Sequence, residues 1–122
     1  IIIKDSTLNW KNSVLINLEN VQLISENNKI IFVGAINFEF KNINDFYRQY
    51  QVKKIHRKKI QKIKLDFMLN LYENEIQLDN VKIDDKTIDR VNNHVNDFNS
   101  KKLNIFNKVI FKNSIKEFFG NI

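Results

Sequence analysis

Positively charged side chains crowd one segment of this chain, between residues 53 and 64. Its basic residues are Lys53, Lys54, His56, Arg57, Lys58, Lys59, Lys62 and Lys64, with isoleucines interleaved. Cations at this density can bind phosphate oxygens, either on lipid headgroups or on nucleic acid. The net charge of +6 suits a negatively charged partner of either kind. The alternative is a solvated segment, in which the lysines lie in water and the isoleucines anchor it.

The other polar residues lack the spacing of a catalytic or metal site. His56 and His94 are the only histidines and lie far apart in the sequence, and the chain has no cysteine, so no zinc-binding spacing occurs. Asp84, Asp85 and Asp89 cluster, but capping of a helix explains them. The serines lie in no nucleophile motif, and two glycines cannot form a phosphate-binding loop. We therefore predict no enzymatic activity, no cofactor and no metal.

Long runs that alternate apolar and polar residues flank the basic segment on both sides. One run precedes it and another follows it: Ile30, Phe32, Gly34, Ile36, Phe38 and Phe40, then Ile63, Leu65, Phe67, Leu69 and Leu71. A period of two residues indicates antiparallel strands with one apolar face. Similar runs at 14–23 and 76–83 extend the pattern, and Ile1 to Trp10 is predicted to be an incoming first strand. We predict a twisted antiparallel sheet of about five to six long strands, shaped as a groove or half-barrel.

The alternation slips by one residue at two places with similar sequences. The segments Leu18-Glu19-Asn20-Val21-Gln22-Leu23 and Leu78-Asp79-Asn80-Val81-Lys82-Ile83 each carry an acidic residue and an asparagine at the slip. A one-residue β-bulge there keeps the apolar side chains on one face of the sheet. The matching slips predict an internal repeat of a bulged strand.

Helical patterns follow the third strand and fill the end of the chain. Asn44 or Asp45 can cap a short helix after the third strand. Ile88, Val91, Val95 and Phe98 recur at helical spacing, with Asp84 or Asp85 available as a cap, and a last helix runs from about Ile105 to Phe119, with Gly120 as its stop. The fold class predicted from these patterns is α+β, with the two C-terminal helices packing on or capping the sheet.

The chain is long enough for one domain with a single core. We expect residues 1–83 to be mainly β, with a basic helix or loop insertion at 42–62, and residues 84–122 to form a helical tail. The sequence begins at Ile1 without a methionine. We therefore expect it to be a single domain or a fragment of a longer chain, with any signal or anchor upstream.

Several short motifs resemble the C-terminal region of AsmA-like proteins. They are Leu18-Glu19-Asn20-Val21 before a glycine-bearing strand, Asp45-Phe46-Tyr47-Arg48, Lys53-Lys54, Arg57-Lys58, Lys62-Ile63 and Leu78-Asp79-Asn80-Val81. The likeness covers most of the chain, including Phe118 and Phe119. Members of that family are Gram-negative envelope proteins, held in the inner membrane by an N-terminal helix and built largely of strands that curl into an apolar groove. The resemblance implies a periplasmic location and a non-catalytic role in phospholipid transport between the membranes or in outer-membrane assembly.

The resemblance also assigns roles to two sets of residues. The apolar groove that would face lipid comprises Phe32, Ile36, Phe38, Phe40, Ile63, Leu65, Phe67, Leu69 and Leu71. The set that would meet anionic headgroups comprises Lys53, Lys54, Arg57, Lys58 and Lys59. Expected partners are phospholipid or an anionic membrane surface, and the remaining domains of the parent chain. Alternatively, the two C-terminal helices cover the apolar face completely and make it an ordinary core.

Two other functions stay open from the residues alone. In a nucleic-acid-binding module, the basic segment would contact phosphates while Tyr47 and Tyr50 stack on bases, although no known nucleic-acid motif occurs in the sequence. In an assembly module, an open edge strand would pair with a neighbouring sheet.

Overall fold

Six strands form one open antiparallel sheet whose order in space is their order in the sequence. The computed structural model describes residues 5–10 and 13–122. The strands are β1 (Ser6–Trp10), β2 (Val14–Glu26), β3 (Lys29–Phe40), β4 (Lys62–Asn70), β5 (Glu75–Ile83) and β6 (Lys86–Thr87). Together with three helices, two of them at the C-terminal end, this sheet confirms the predicted α+β class. Residues 1–4 of the predicted first strand lie outside the described residues.

Asparagine and aspartate, and not glycine, form the two tightest hairpin turns. Asn27 and Asn28 join β2 to β3, and Asp84 and Asp85 join β5 to β6. All four residues have a positive φ, between 49° and 65°. Two-residue turns that match the twist of a hairpin require this conformation, which short Asn and Asp side chains tolerate. Asp84 and Asp85 therefore form a hairpin turn of the sheet. The prediction that one of them caps the following helix is wrong.

The first predicted slip is a bulge in β2. Asn20 and Val21 together lie opposite the single residue Gly34, between the pairs Glu19–Ala35 and Gln22–Val33. Asn20 has a φ of 54°, the left-handed conformation that opens such a bulge. A Cβ atom on Gly34 would lie 2.9 Å from Val21 Cγ2 and 3.0 Å from Val21 Cα. Glycine is thus required at this position because the bulged backbone approaches it closely.

The second slip repeats this geometry in β5. Asn80 and Val81 lie opposite the single residue Leu65 of β4. Asn80 has a φ of 53°, nearly the same as that of Asn20. Two bulges with the same residue pair and the same backbone conformation confirm the predicted repeat of a bulged strand.

Three helices accompany the sheet: α1 (Ile43–Gln49), α2 (Asp89–Lys101) and α3 (Lys108–Phe119), with a 3-10 turn at Lys54–His56. The side chain of Asn42, and not Asn44 or Asp45, caps α1 by accepting the N–H of Asn44. Asn107 caps α3, which begins three residues later than predicted. Gly120 ends α3 as expected, but with a φ of −67° and so without a left-handed residue.

An aromatic cluster joins α1 to the end of α3. The ring of Phe119 lies 5.6 Å from that of Phe46 and 5.1 Å from that of Tyr47, both in edge-on geometry that aromatic pairs favour. Tyr47 is fully buried, and its hydroxyl donates a hydrogen bond of 2.6 Å to the carbonyl oxygen of Lys58. The cluster therefore ties the basic segment to the core through one buried phenol.

Helix α2 lies along the outer edge of β5 and is held there by two asparagines. The side chain of Asn92 accepts a hydrogen bond from the N–H of Val81 and donates one to the carbonyl oxygen of the same residue. The side chain of Asn99 forms the same two hydrogen bonds with Leu78. Val91 and Val95, on the adjacent face of α2, are buried. The helix thus satisfies backbone groups that an edge strand would otherwise expose.

Candidate functional site

An apolar cavity of about 570 Å³ lies between the sheet and the C-terminal helices. The alternating faces of the strands form one side of it: Leu18, Val21, Phe32, Ile36, Phe38, Phe40, Ile63, Leu65, Phe67, Leu69, Ile76 and Leu78. The region from α2 to α3 forms the other: Phe98, Ile105, Phe111, Ile115, Phe118 and Phe119. His94 and Ser114 also reach the lining, and Trp10 and Phe46 line it from β1 and α1. We call this space the apolar cavity.

Both bulges help to build this lining. Val21 lines the cavity from the bulge in β2, and Leu65 lines it opposite the bulge in β5. Without the extra residue, the side chains beyond each bulge would turn to the other face of the sheet. The cavity surface therefore depends on the two left-handed asparagines, Asn20 and Asn80.

Eight of the nine side chains predicted for the apolar groove line this one cavity. The exception is Leu71, which follows the last residue of β4 and is 39% exposed. The sequence pattern missed the opposite wall, because residues such as Phe111 and Phe118 of α3 are separated from the strands by the whole of α2. Their helical spacing predicted that α3 packs on or caps the sheet, but not which of its residues line a cavity there.

The described residues contain both a closed core and this less tightly covered face. Val14, Tyr47, Val52, Val81 and Val91 are almost completely buried. The lining residues Phe38, Phe67, Ile115 and Phe118 pack against this core but are only partly buried. The C-terminal helices thus cover the sheet without filling the space above it, as close packing of a core would.

Ser114, one of the two polar side chains in the lining of this cavity, forms its hydrogen bond within its own helix. The Ser114 hydroxyl donates a hydrogen bond of 2.8 Å to the carbonyl oxygen of Ile110, one turn earlier in α3. Its polar atom therefore contributes little to the lining. Burial also raises the pKa of Tyr47 to about 12 and raises that of Tyr50, so both phenols on the α1 side are neutral at ordinary pH.

The five residues predicted for headgroup binding differ in exposure and in what they contact. Lys54, Lys58 and Lys59 are exposed, and Lys53 lines a separate polar cavity beside α2 and α3. Arg57 turns back to the chain, where its Nε donates a hydrogen bond of 2.8 Å to the carbonyl oxygen of Val52. The basic segment is therefore anchored through Arg57 and through the Lys58 carbonyl, with most of its ammonium groups in solvent.

No family model, no curated protein and no solved structure matches this chain. The resemblance to AsmA-like proteins rests on the short motifs alone and stays a prediction. In residues 5–10 and 13–122, no helix is long and apolar enough to span a membrane. The same residues contain no group of three or more His, Cys, Asp or Glu side chains that could hold a metal ion.

Proposed function

We propose that this chain binds the hydrocarbon chains of lipids in the apolar cavity between the sheet and α3. It acts as a non-catalytic segment of an AsmA-like envelope protein on the periplasmic side, and serves phospholipid transport or outer-membrane assembly. The size of the cavity together with its apolar lining carries this proposal. The motifs that resemble AsmA-like proteins support the cellular role.

Hydrocarbon is the occupant that suits this space. Ligand pockets for small molecules span about 300–1,000 Å³, a range that includes the volume of the apolar cavity. An ordered water needs two to four polar partners, and this lining offers almost none. Because moving apolar surface out of water is favourable, acyl chains gain free energy on entering such a space.

Apolar surface continues from the cavity to solvent at the start of α3. Ile105 lines the cavity, and the next residue, Phe106, is 56% exposed. Val109, in the first turn of α3, is 68% exposed. An acyl chain would therefore meet apolar side chains along its way into the cavity at this corner.

Native mass spectrometry of the chain purified from a bacterial envelope extract, followed by lipid extraction, tests whether lipid stays bound. Co-purified phospholipid is expected, and a lipid-free protein that also fails to take up added fatty acid would contradict the proposal.

A cavity-filling variant makes the test specific. Ser114→Phe places a ring in the cavity and removes only a hydrogen bond within α3. The matched control is Asn113→Phe, at the exposed neighbouring position.

With both variants folded by circular dichroism, we expect Ser114→Phe to weaken binding of a fluorescent fatty acid by roughly tenfold or more, as lost acyl contacts require. Asn113→Phe should bind like the unmodified chain. Equal binding by all three proteins would place the fatty acid outside the apolar cavity.

A further inference from the structure

A second cavity, of about 740 Å³, is lined by basic side chains from three separate parts of the chain. Lys53 and His56 come from the segment after α1, His94 and Lys101 from α2, and Lys116 from α3. Glu117 is the one acidic residue of this lining. Three lysines against one glutamate leave an excess of positive charge. We call this space the cationic cavity.

The lysines of the cationic cavity have no anionic partner in the part of the chain that the structure describes. Lys62 pairs with Asp85 and Lys64 with Glu19, whereas Lys53, Lys101 and Lys116 form no ion pair. An anion bound among such cationic side chains is attracted by each of them. The arrangement is suited to a ligand with more than one negative charge.

His94 connects the two cavities because its side chain lines both of them. On α2, Lys101 lies two turns after His94 on the cationic side, and Phe98 lies one turn after it on the apolar side. Phe118 and Phe119 of α3 line the apolar cavity, while Lys116 and Glu117 line the cationic one. An amphiphile could therefore place its anionic group and its hydrocarbon chain in adjoining spaces.

We propose that the cationic cavity binds the phosphate group of a lipid whose hydrocarbon chain occupies the apolar cavity. This inference rests on the proposed function and adds the chemistry and position of the headgroup. A phosphate monoester carries between one and two negative charges near neutral pH and has several acceptor oxygens, which matches a group of ammonium and imidazole donors. Of the five residues predicted for headgroups from the sequence, only Lys53 belongs to this site.

Charge-removing variants at matched positions test this assignment. Lys101→Gln with Lys116→Gln removes two charges from the cationic cavity. Lys58→Gln with Lys59→Gln removes two charges from exposed positions outside both cavities. Trp10 is the only tryptophan and lines the apolar cavity, so its fluorescence reports the entry of a hydrocarbon chain.

Three probes separate the contributions: lysophosphatidic acid, a monoacylglycerol with the same acyl chain, and inorganic phosphate. We expect lysophosphatidic acid to bind roughly tenfold or more tightly than the monoacylglycerol, since two or three nearby lysines contribute to the first ligand only. The cavity double variant should abolish that preference and leave monoacylglycerol binding unchanged. The exposed double variant should keep it.

Other outcomes overturn the assignment in distinguishable ways. An equal loss of affinity for lysophosphatidic acid in both double variants would mean that only the overall charge of the protein attracts the lipid. Binding of inorganic phosphate that depends on Lys101 and Lys116, without preference for lysophosphatidic acid, would make this a site for free phosphate. If phosphate bound in the cationic cavity while neither lipid changed the Trp10 fluorescence, hydrocarbon would not occupy the apolar cavity. That result would contradict both the proposed function and the binding of one amphiphile across the two cavities. If a fatty acid bound as tightly as lysophosphatidic acid, the cationic cavity would bind a carboxylate as well as a phosphate. The site would then be one for anions in general and not for phosphate.

Discussion

Asn92 of α2 binds both backbone groups of Val81 in β5, accepting its N–H at 2.9 Å and donating to its carbonyl oxygen at 3.0 Å. Seven residues later, Asn99 does the same for Leu78, at 2.9 and 2.6 Å. Two turns of helix thus bring a second amide to the same strand. Side-chain amides replace a neighbouring strand at this edge, because they offer one donor and one acceptor in the arrangement of a peptide group.

Asn92→Ala should lower the free energy of unfolding by about 2–3 kcal/mol, because it leaves a part-buried N–H and carbonyl at Val81 without their partners. Asn93→Ala is the matched control, since Asn93 is exposed on the same helix. Urea unfolding followed by circular dichroism measures both. Because alanine is a better helix former than asparagine, Asn93→Ala should not destabilise the helix. If Asn92→Ala lost no more stability than Asn93→Ala, the pairing of the Asn92 amide with Val81 would not contribute to stability.

Tyr47→Phe should change the dependence of stability on alkaline pH. Burial raises the pKa of Tyr47 from 10.0 to about 12 in the folded protein, so its stabilising contribution is complete below pH 10 and is lost as the pH rises towards 12. The pKa values of Tyr50 and Lys62 are also raised, so their contributions decline in the same direction and remain in the variant.

At pH 8 we expect Tyr47→Phe to cost about 1 kcal/mol for the lost hydrogen bond to the Lys58 carbonyl. Between pH 10 and 11.5 the difference from the unmodified chain should shrink, because a phenylalanine cannot ionise on unfolding. Urea unfolding at both pH values measures this. Tyr72→Phe, at a position 74% exposed, should show no such convergence.

The two glycines should respond to alanine in opposite directions. Gly34→Ala puts a Cβ against the backbone and side chain of Val21 and should destabilise the fold by about 1–3 kcal/mol. Gly120 has a helical φ of −67°, and its nearest atoms would lie 3.4 Å or more from an added Cβ. Gly120→Ala should therefore stabilise by about 0.4–1 kcal/mol, through a less disordered unfolded chain. Thermal unfolding of the Gly34→Ala and Gly120→Ala variants measures the direction of each change in stability. A Gly34→Ala variant as stable as the unmodified chain would contradict the close approach of Val21 at the bulge.

Asp84 should matter through its side-chain oxygen and not through its charge. Its carboxylate accepts the N–H groups of Gln61 and Lys62 at 3.1 and 2.9 Å, which fixes the start of β4. Asp84→Gly keeps the positive φ but loses both bonds, and should cost about 1–3 kcal/mol. Asp84→Asn keeps an acceptor oxygen and should cost much less. Chemical denaturation that ranked the two variants equally would contradict this assignment.

Much of the sheet could be predicted because its pattern is local. The period of two residues gave the apolar faces of β3 and β4, and the slips at Asn20 and Asn80 gave both bulges. The expected caps were wrong at α1 and α2, since Asn42 lies just before the apolar pattern and Asp84 was needed in a turn. Local spacing does not distinguish these competing uses of the same side chains.

The cationic cavity could not be predicted in the same way. His56 and His94 are 38 positions apart in the sequence and carry no shared motif, yet both line one cavity. The role of Asn92 and Asn99 could not be predicted either, because Asn is a weak helix former and only the neighbouring edge of β5 reveals the hydrogen bonds of these two side chains. Contacts between distant segments depend on the docking of α2 and α3, which no single stretch encodes.

The strand order of this sheet also bears on how the chain folds during synthesis. Because each strand pairs with its sequence neighbour, the hairpins can form as soon as they leave the ribosome. Their apolar face must then wait for α2 and α3, whose residues are translated after those of the strands. At about 5–20 residues per second, the residues after β5 take roughly 2 to 8 s to appear. For that interval the nascent sheet presents Phe32, Phe38 and Phe67 uncovered, and a chaperone or a lipid that shields them would protect it from aggregation.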